Sequence, residues 1–257
     1  MKIVICIKPV KAELVYTDES RVEEYVMNPY DLYAFEKILC LKNFTDCNII
    51  CLCMGPMSST GLLQKAIAMG ADEAIILNDD MFRGSDTFST SYILSQAIKK
   101  IGDVDIVACG RQSIDGETGQ VVYGISERLN YYCLSNVDEI VAIQKTELKV
   151  KQVKESEIVI GNLKAPAVVS FHDFVVTQPQ ISLAALKKAR KREIFVWNGL
   201  DLLVDASKCG LEGSKTKVVN MQKEIMKKPK VYITGNTAEK AELVYSILTG
   251  KVKDFAV

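Results

Sequence analysis

At 257 residues, with 48% hydrophobic and 25% charged residues, the chain can bury a full core and fits one large domain or one domain with a smaller appendage. Lys+Arg and Asp+Glu balance at 32 each, so no global field draws it onto nucleic acid or an anionic membrane surface. The first apolar run is too short for a secretory signal, and no run approaches the roughly 18 apolar residues of a membrane helix, so a cytoplasmic location without a membrane span is expected.

KIVICI (2–7) is a short, nearly continuous apolar run, the pattern of a strand covered on both faces, and NIICLC (48–53), EAIIL (73–77) and VDIVAC (104–109) repeat it. Between the first two, MNPYDLYAFEKILCLKN predicts a helix: Asn28 can cap it, Pro29 suits its first turn, and Leu32, Phe35 and Leu39 repeat on one face. SSTGLLQKAIAMG groups Leu62, Leu63, Ala66 and Ile67 and stops at Gly70. DTFSTSYILSQAIKK opens on Asp86 and closes on Lys99 and Lys100, each charge suited to its helix end. A further helix pattern, ETGQVVYGISERLN, follows the fourth strand. Strand and helix thus alternate through about residue 130, which calls for a parallel sheet with right-handed crossovers and helices on both faces.

From Tyr131 the pattern changes. VDEIVAIQ, ELKVKQVK and SEIVIG look like antiparallel strands, and APAVVSF returns to the sheet. LKKARKREIFVW is basic, and residues 201–228, irregular and carrying Lys215, Lys217, Lys223, Lys227 and Lys228, read as an arm or linker. NTAEKAELVYSILTG closes the chain with a helix, Asn236 and Glu239 forming a capping-box pattern and Gly250 the stop. The expected division is an α/β domain over 1–197 and an arm with a helix over 198–257.

In such sheets ligands sit beyond the carboxyl ends of the strands, so the loops after Ile7, Cys53 and Cys109 are the candidate sites. GRQSIDGETGQV (110–121) is open to three readings: a nucleotide cradle, a catalytic loop or a polar turn. Ser113, Thr118, the backbone donors of Gly116 to Gln120 and the following helix amino end can hold a phosphate, although the spacing is neither a dinucleotide fingerprint nor a P-loop. CMGP (53–56) and MNPYD (27–31) add two more glycine- or asparagine-containing loops, which suits a nucleotide.

A hydrolase reading would use Ser170, His172 and Asp173, but residues so close on one strand point alternately, and no nucleophile elbow is present. His172 reads as a structural histidine at a strand end. The eight cysteines lack a C-x-x-C pair and read as reduced, buried thiols. Lys187, Lys188, Arg190, Lys191 and Arg192 form a solvated basic face or a site for an acidic partner or phosphate; without interleaved aromatic residues they do not suit nucleic acid.

Taken together, MNPYD, CMGP, KAIAMGADEAIIL, GRQSIDGETGQV, KAPAVVSF and LKKARKREI occur in an order and spacing that resemble the beta subunit of electron transfer flavoproteins, over most of residues 1–197. The resemblance implies a Rossmann-like (HUP-type) α/β adenine-nucleotide-binding fold and an obligate heterodimer with an alpha subunit that carries FAD. It implies AMP or a second FAD in this subunit, and electrons arriving from acyl-CoA dehydrogenases or NADH. Carried over by motif, the nucleotide is expected at Ile7 and Lys8, at Asn28 and Asp31, at Cys53 and Gly55, and along Asp115, Gly116, Glu117, Thr118, Gly119, Gln120 and Val121. No residue is assigned as a catalytic acid or base and none as a metal ligand. The family's partner-docking leucine falls on Leu183, ahead of Lys187, Lys188 and Arg190.

The chain departs from the family pattern at Lys8-Pro9-Val10-Lys11-Ala12, at Val122-Tyr123, where Gly-Pro is usual, and at Thr177-Gln178-Pro179-Gln180, where a charge pair is lost. DGETGQV looks more like the loop of electron-bifurcating members, which tilts the expectation toward FAD over AMP, while Tyr123 can narrow the site. The rival reading of the same fold is a stand-alone adenine-nucleotide sensor.

Overall fold

The computed structural model describes residues 1–15, 25–144, 146–155, 157–175, 180–219 and 233–249. Thr177, Gln178, Pro179, Lys223, Lys227, Lys228 and Gly250 lie outside the described residues. Two compact units are present, Met1–Lys217 and Val218–Val257.

In chain order the first unit holds β1 (Lys2–Ile7), β2 (Pro9–Lys11), β3 (Tyr25–Met27), α1 (Pro29–Cys40), β4 (Asn48–Met54), α2 (Thr60–Met69), β5 (Glu73–Leu77), α3 (Thr87–Ile101), β6 (Ile106–Gly110) and α4 (Val121–Leu129). There follow β7 (Tyr132–Gln144), β8 (Glu147–Lys154), β9 (Glu157–Lys164), β10 (Ala167–Phe171), α5 (Leu183–Ala189), β11 (Phe195–Trp197) and α6 (Gly210–Gly213). The described part of the second unit carries α7 (Thr237–Leu248), opened by the capping box of Asn236 and Glu239.

Nine strands form one sheet in the order β11-β5-β4-β1-β6-β10-β7-β8-β9, and β2 pairs with β3 as a separate antiparallel hairpin. Pairings from β11 through β10 to the start of β7 are parallel, and β7–β8–β9 is an antiparallel meander. This is the expected α/β parallel-sheet architecture.

The reason such runs become central strands is visible in the core. On β1, Ile3, Ile5 and Ile7 pack with Leu32, Phe35 and Ile38 of α1 and with Leu62 and Leu63 of α2. The alternate residues Val4 and Cys6 pack with Ile93, Leu94 and Ala97 of α3 and with Val122 and Ile125 of α4. A period-two strand with apolar side chains on both faces is stable only between two helical layers. On α1 the buried position is Ile38, with Leu39 partly buried at the edge of that cluster.

The polypeptide stays packed beyond Trp197: Leu202 and Cys209 are buried in the α3–α4 side of the core. Asp79 Oδ2 accepts from Gly199 N at 2.9 Å, and Asp86 Oδ2 accepts from Lys215 N and Thr216 N at 2.8 and 2.9 Å. Among the described residues, no helix is long and apolar enough to cross a membrane.

Candidate functional site

Strand order reverses between β1 and β6: the chain steps from β1 outward to β4 and β5, then returns to place β6 on the other side. At such a point the loops leaving adjacent strands diverge and open a crevice at the carboxyl ends. Lys8 leaves β1 there and the 111–120 loop leaves β6 there, so the two segments chosen from the sequence are neighbours in space.

Asn28 joins them. It was expected to cap α1, but its side chain makes no cap hydrogen bond. Instead Nδ2 donates to Gln112 O at 2.8 Å and Oδ1 accepts from Ile114 N at 3.2 Å, while the Asn28 amide donates to Lys8 O at 3.1 Å. The side chain is buried, and both its oxygen and its nitrogen are spent on backbone groups of another loop. Asp31, in the first turn of α1, reaches the same place: its carboxylate accepts from Lys8 N at 2.8 Å and Gly110 N at 3.1 Å.

The Lys8 ammonium lies 2.7 Å from Asp115 Oδ1 and 3.4 Å from Ser113 Oγ. Partial burial pushes the Asp115 carboxyl up, but the Lys8 ammonium and Ser113 hydroxyl outweigh it and hold the group below the usual carboxylate value. With both partners substantially exposed, this pair contributes no more than about 1 kcal/mol, and its main effect is to orient the loop.

Farther along, Glu117 N donates to Ser113 O at 2.9 Å, and two left-handed residues, Glu117 (φ 52°) and Gly119 (φ 62°), turn the chain tightly ahead of α4. Turns of this kind gather amide groups into anion-binding concavities. No side chain caps α4, whose N-cap is Gln120, and Asp115 to Thr118 and Gln120 are exposed. A helix amino end with open amides and a favourable dipole, preceded by such a turn, fits a phosphate.

The remaining predicted residues divide by accessibility. Ile7 and Cys53 are buried, paired in register on β1 and β4, so each offers the site only its backbone. Burial pushes the Cys53 thiol up to about 12, which keeps it neutral. Gly55 sits beside the β1 exit, where an added Cβ would lie 2.6 Å from Pro9 Cγ. Pro9, one of the departures from the family pattern, is thus seated against the second predicted loop. The hairpin of β2 and β3 was not foreseen; its Val10, Ala12 and Val26 form a small cluster with Ile114 of the 111–120 loop.

Leu183, Lys187, Lys188 and Arg190 lie on α5, which packs by Ala189 and runs alongside α2 rather than at the strand-end site. Leu183 is 85% exposed, the first residue of a short helix capped by Ser182. His172 follows β10, with Nδ1 buried, without a hydrogen-bond partner among the described residues and 4.0 Å from Asp138 Oδ1. Ser170 beside it is 2% exposed and offers no accessible nucleophile. All eight thiols are unpaired, and six are buried; Cys40 is exposed and Cys133 partly buried.

Comparison with known proteins identifies the family. The electron transfer flavoprotein domain profile matches residues 18–201. Protein FixA of Azorhizobium caulinodans is 34% identical over 95% of this chain and 88% of its own. Electron transfer flavoprotein subunit beta of Clostridium acetobutylicum is 33% identical over 89% and 93%. Caffeyl-CoA reductase-Etf complex subunit CarD of Acetobacterium woodii is 30% identical over 99% and 98%. With the family profile covering most of the chain and a beta subunit matching about nine-tenths of it, the chain belongs to the electron transfer flavoprotein family, in its beta-subunit branch.

Proposed function

We propose that the chain is the beta subunit of a heterodimeric electron transfer flavoprotein, working with an FAD-carrying alpha subunit to shuttle electrons between a dehydrogenase and an acceptor. The observation that carries this reading is the convergence, at the β1–β6 reversal, of Lys8, the turn through Glu117 and Gly119 and the uncapped α4 on a place suited to an adenine nucleotide's phosphate. Ile7, Cys53 and Gly55 contribute backbone along the strand ends, and Thr118 adds an exposed hydroxyl.

A bound flavin supplies the redox chemistry, which no side chain here replaces. The protein's own share is positional: Asn28 and Asp31 fix the two loops above strands whose apolar side chains are buried. The DGETGQV loop favours a second FAD over AMP. Leu183, an apolar anchor rimmed by Lys187, Lys188 and Arg190, is the docking point for an acyl-CoA dehydrogenase-type or NADH-linked partner, where the charges steer and the leucine seats. The complex works in the cytoplasm.

Co-expression with the alpha subunit, followed by chromatography of the nucleotides released on denaturation, tests the reading. Equal amounts of FAD and AMP mark a simple carrier, and FAD alone at twice the heterodimer concentration marks a two-flavin carrier. Absence of a complex together with adenine nucleotide on this chain alone rejects the carrier role.

A further inference from the structure

Asp31 sits in the first turn of α1, yet it is only 7% exposed. Each of its carboxyl oxygens is taken by a backbone amide, Oδ2 by Lys8 N at 2.8 Å and Oδ1 by Gly110 N at 3.1 Å. Those amides belong to the residue just past β1 and the last residue of β6, the adjacent parallel strands on either side of the reversal. The arrangement requires an ionised group, because a protonated carboxyl keeps one good acceptor oxygen and has a proton of its own to place.

Among the described residues no cation touches Asp31, since the Lys8 ammonium is engaged with Asp115. The other titratable groups that face it are thiols, Cys53 on β4 and Cys109 on β6, each raised in its surroundings and neutral. Burial pushes the Asp31 carboxyl up to about 7, against the opposing pull of the Lys8 amide, the Asn28 side chain, the Gly110 amide and the Lys8 charge.

We propose that Asp31 is a positioning residue that does not itself touch the nucleotide: by holding the amides of Lys8 and Gly110 it sets the two strand exits against each other, and one proton taken up there loosens the crevice and weakens adenine-nucleotide binding. This rests on the adenine-nucleotide reading above. It differs from a contact role in making affinity depend on pH through a group that the ligand never reaches. The sign for stability is opposite. A carboxyl whose folded value lies above its unfolded value favours the folded chain at low pH, and that contribution is lost as pH rises through about 7. Acid therefore steadies the fold while it slackens the site.

The full-length chain, co-expressed with its alpha subunit, is titrated calorimetrically with AMP and with FAD from about pH 5.5 to about pH 8.5, beside the variant Asp31→Asn, which has the same shape but cannot ionise. The ratio of the two affinities at each pH cancels any titration of the nucleotide's own phosphate. The wild type is expected to bind about tenfold more tightly than Asp31→Asn at the alkaline end and equally at the acid end, with hydrogen-exchange protection of the Lys8 and Gly110 amides following the same curve. A ratio that stays constant with pH overturns the proposal.

If neither AMP nor FAD binds either protein, the nucleotide reading has failed, and exchange alone decides the role of Asp31. Wild-type protection of the two amides that changes with pH while that of the variant stays level upholds it, and equal protection in both removes it. Should Asp31→Asn not fold, the wild-type affinity for FAD and the wild-type amide protection decide, a level profile in both rejecting the proposal.

Discussion

Gly110 is fixed by its neighbours rather than by its backbone angles. A Cβ at this position would stand 2.5 Å from Asp31 Oδ1 and 2.6 Å from the Tyr30 carbonyl carbon, so α1 and β6 can approach only if the residue between them is glycine. Gly110→Ala is expected to cost about 2 kcal/mol in urea unfolding, together with any nucleotide affinity. A loss below about 0.5 kcal/mol would mean that the first turn of α1 yields instead. Asp86 is the second residue on which distant segments depend. Its Oδ1 caps α3 through Phe88 N and Ser89 N, and its Oδ2 receives the amides of Lys215 and Thr216 and the Thr216 hydroxyl. Partial burial pushes this carboxyl up, but those donors outweigh it and hold it below the usual carboxylate value. A depressed carboxyl stabilises above its unfolded value and loses that contribution as pH falls through its folded one. Asp86→Ala should therefore lower stability by about 1 kcal/mol near neutrality. Its unfolding curve should draw toward the wild type's only as pH falls below the ordinary aspartate value of about 3.9.

Among the elements, β9 is the exposed edge of the sheet. It pairs with β8 on one side, and Ile158 and Ile160 are each 60% exposed. An unbulged edge strand with bare isoleucines and no proline is the arrangement that natural sheets usually blunt. Ile160→Lys removes no core contact and should leave stability within about 0.5 kcal/mol. It should reduce self-association of the isolated chain in light scattering, and unchanged association would place the adhesive surface elsewhere. The long β7 does two jobs, running parallel to β10 at its start and antiparallel to β8 beyond, with a register irregularity after Val137 and left-handed Asn136 where it passes from one to the other.

Across the whole molecule, the first compact unit extends to Lys217, with Lys215 and Thr216 near its end held by Asp86. In the second unit α7 buries none of its residues and shows Val244, Tyr245, Ile247 and Leu248 to solvent. A helix of this length is marginal in water on its own, and on the proposed heterodimer reading its cover is the alpha subunit. A chain ending at Lys217 should keep its unfolding temperature within about 4 °C of the full chain, because the packed core is intact, yet fail to copurify with that subunit. Retained copurification would assign the interface to the compact unit.

What the sequence determined by itself was the order of strands and helices and the family, because apolar runs that alternate between two buried faces can form only central strands of a layered sheet, and the caps at Asp86 and Asn236 use side chains beside their own helices. The 110–121 loop was legible for the same reason: its glycines and hydroxyls lie together along the chain. The hairpin of β2 and β3 was not, since it is made of two three-residue strands whose pairing no local period announces. Nor was the true use of Asn28, which looks like a helix cap but serves Gln112 and Ile114, or the clasp of Asp31 on Lys8 and Gly110. Only the tertiary structure decided these, because a buried polar side chain takes whichever donors the packing of remote elements brings within reach, and that choice is written in the crossing of α1 over the ends of β1 and β6 rather than in any neighbouring residue.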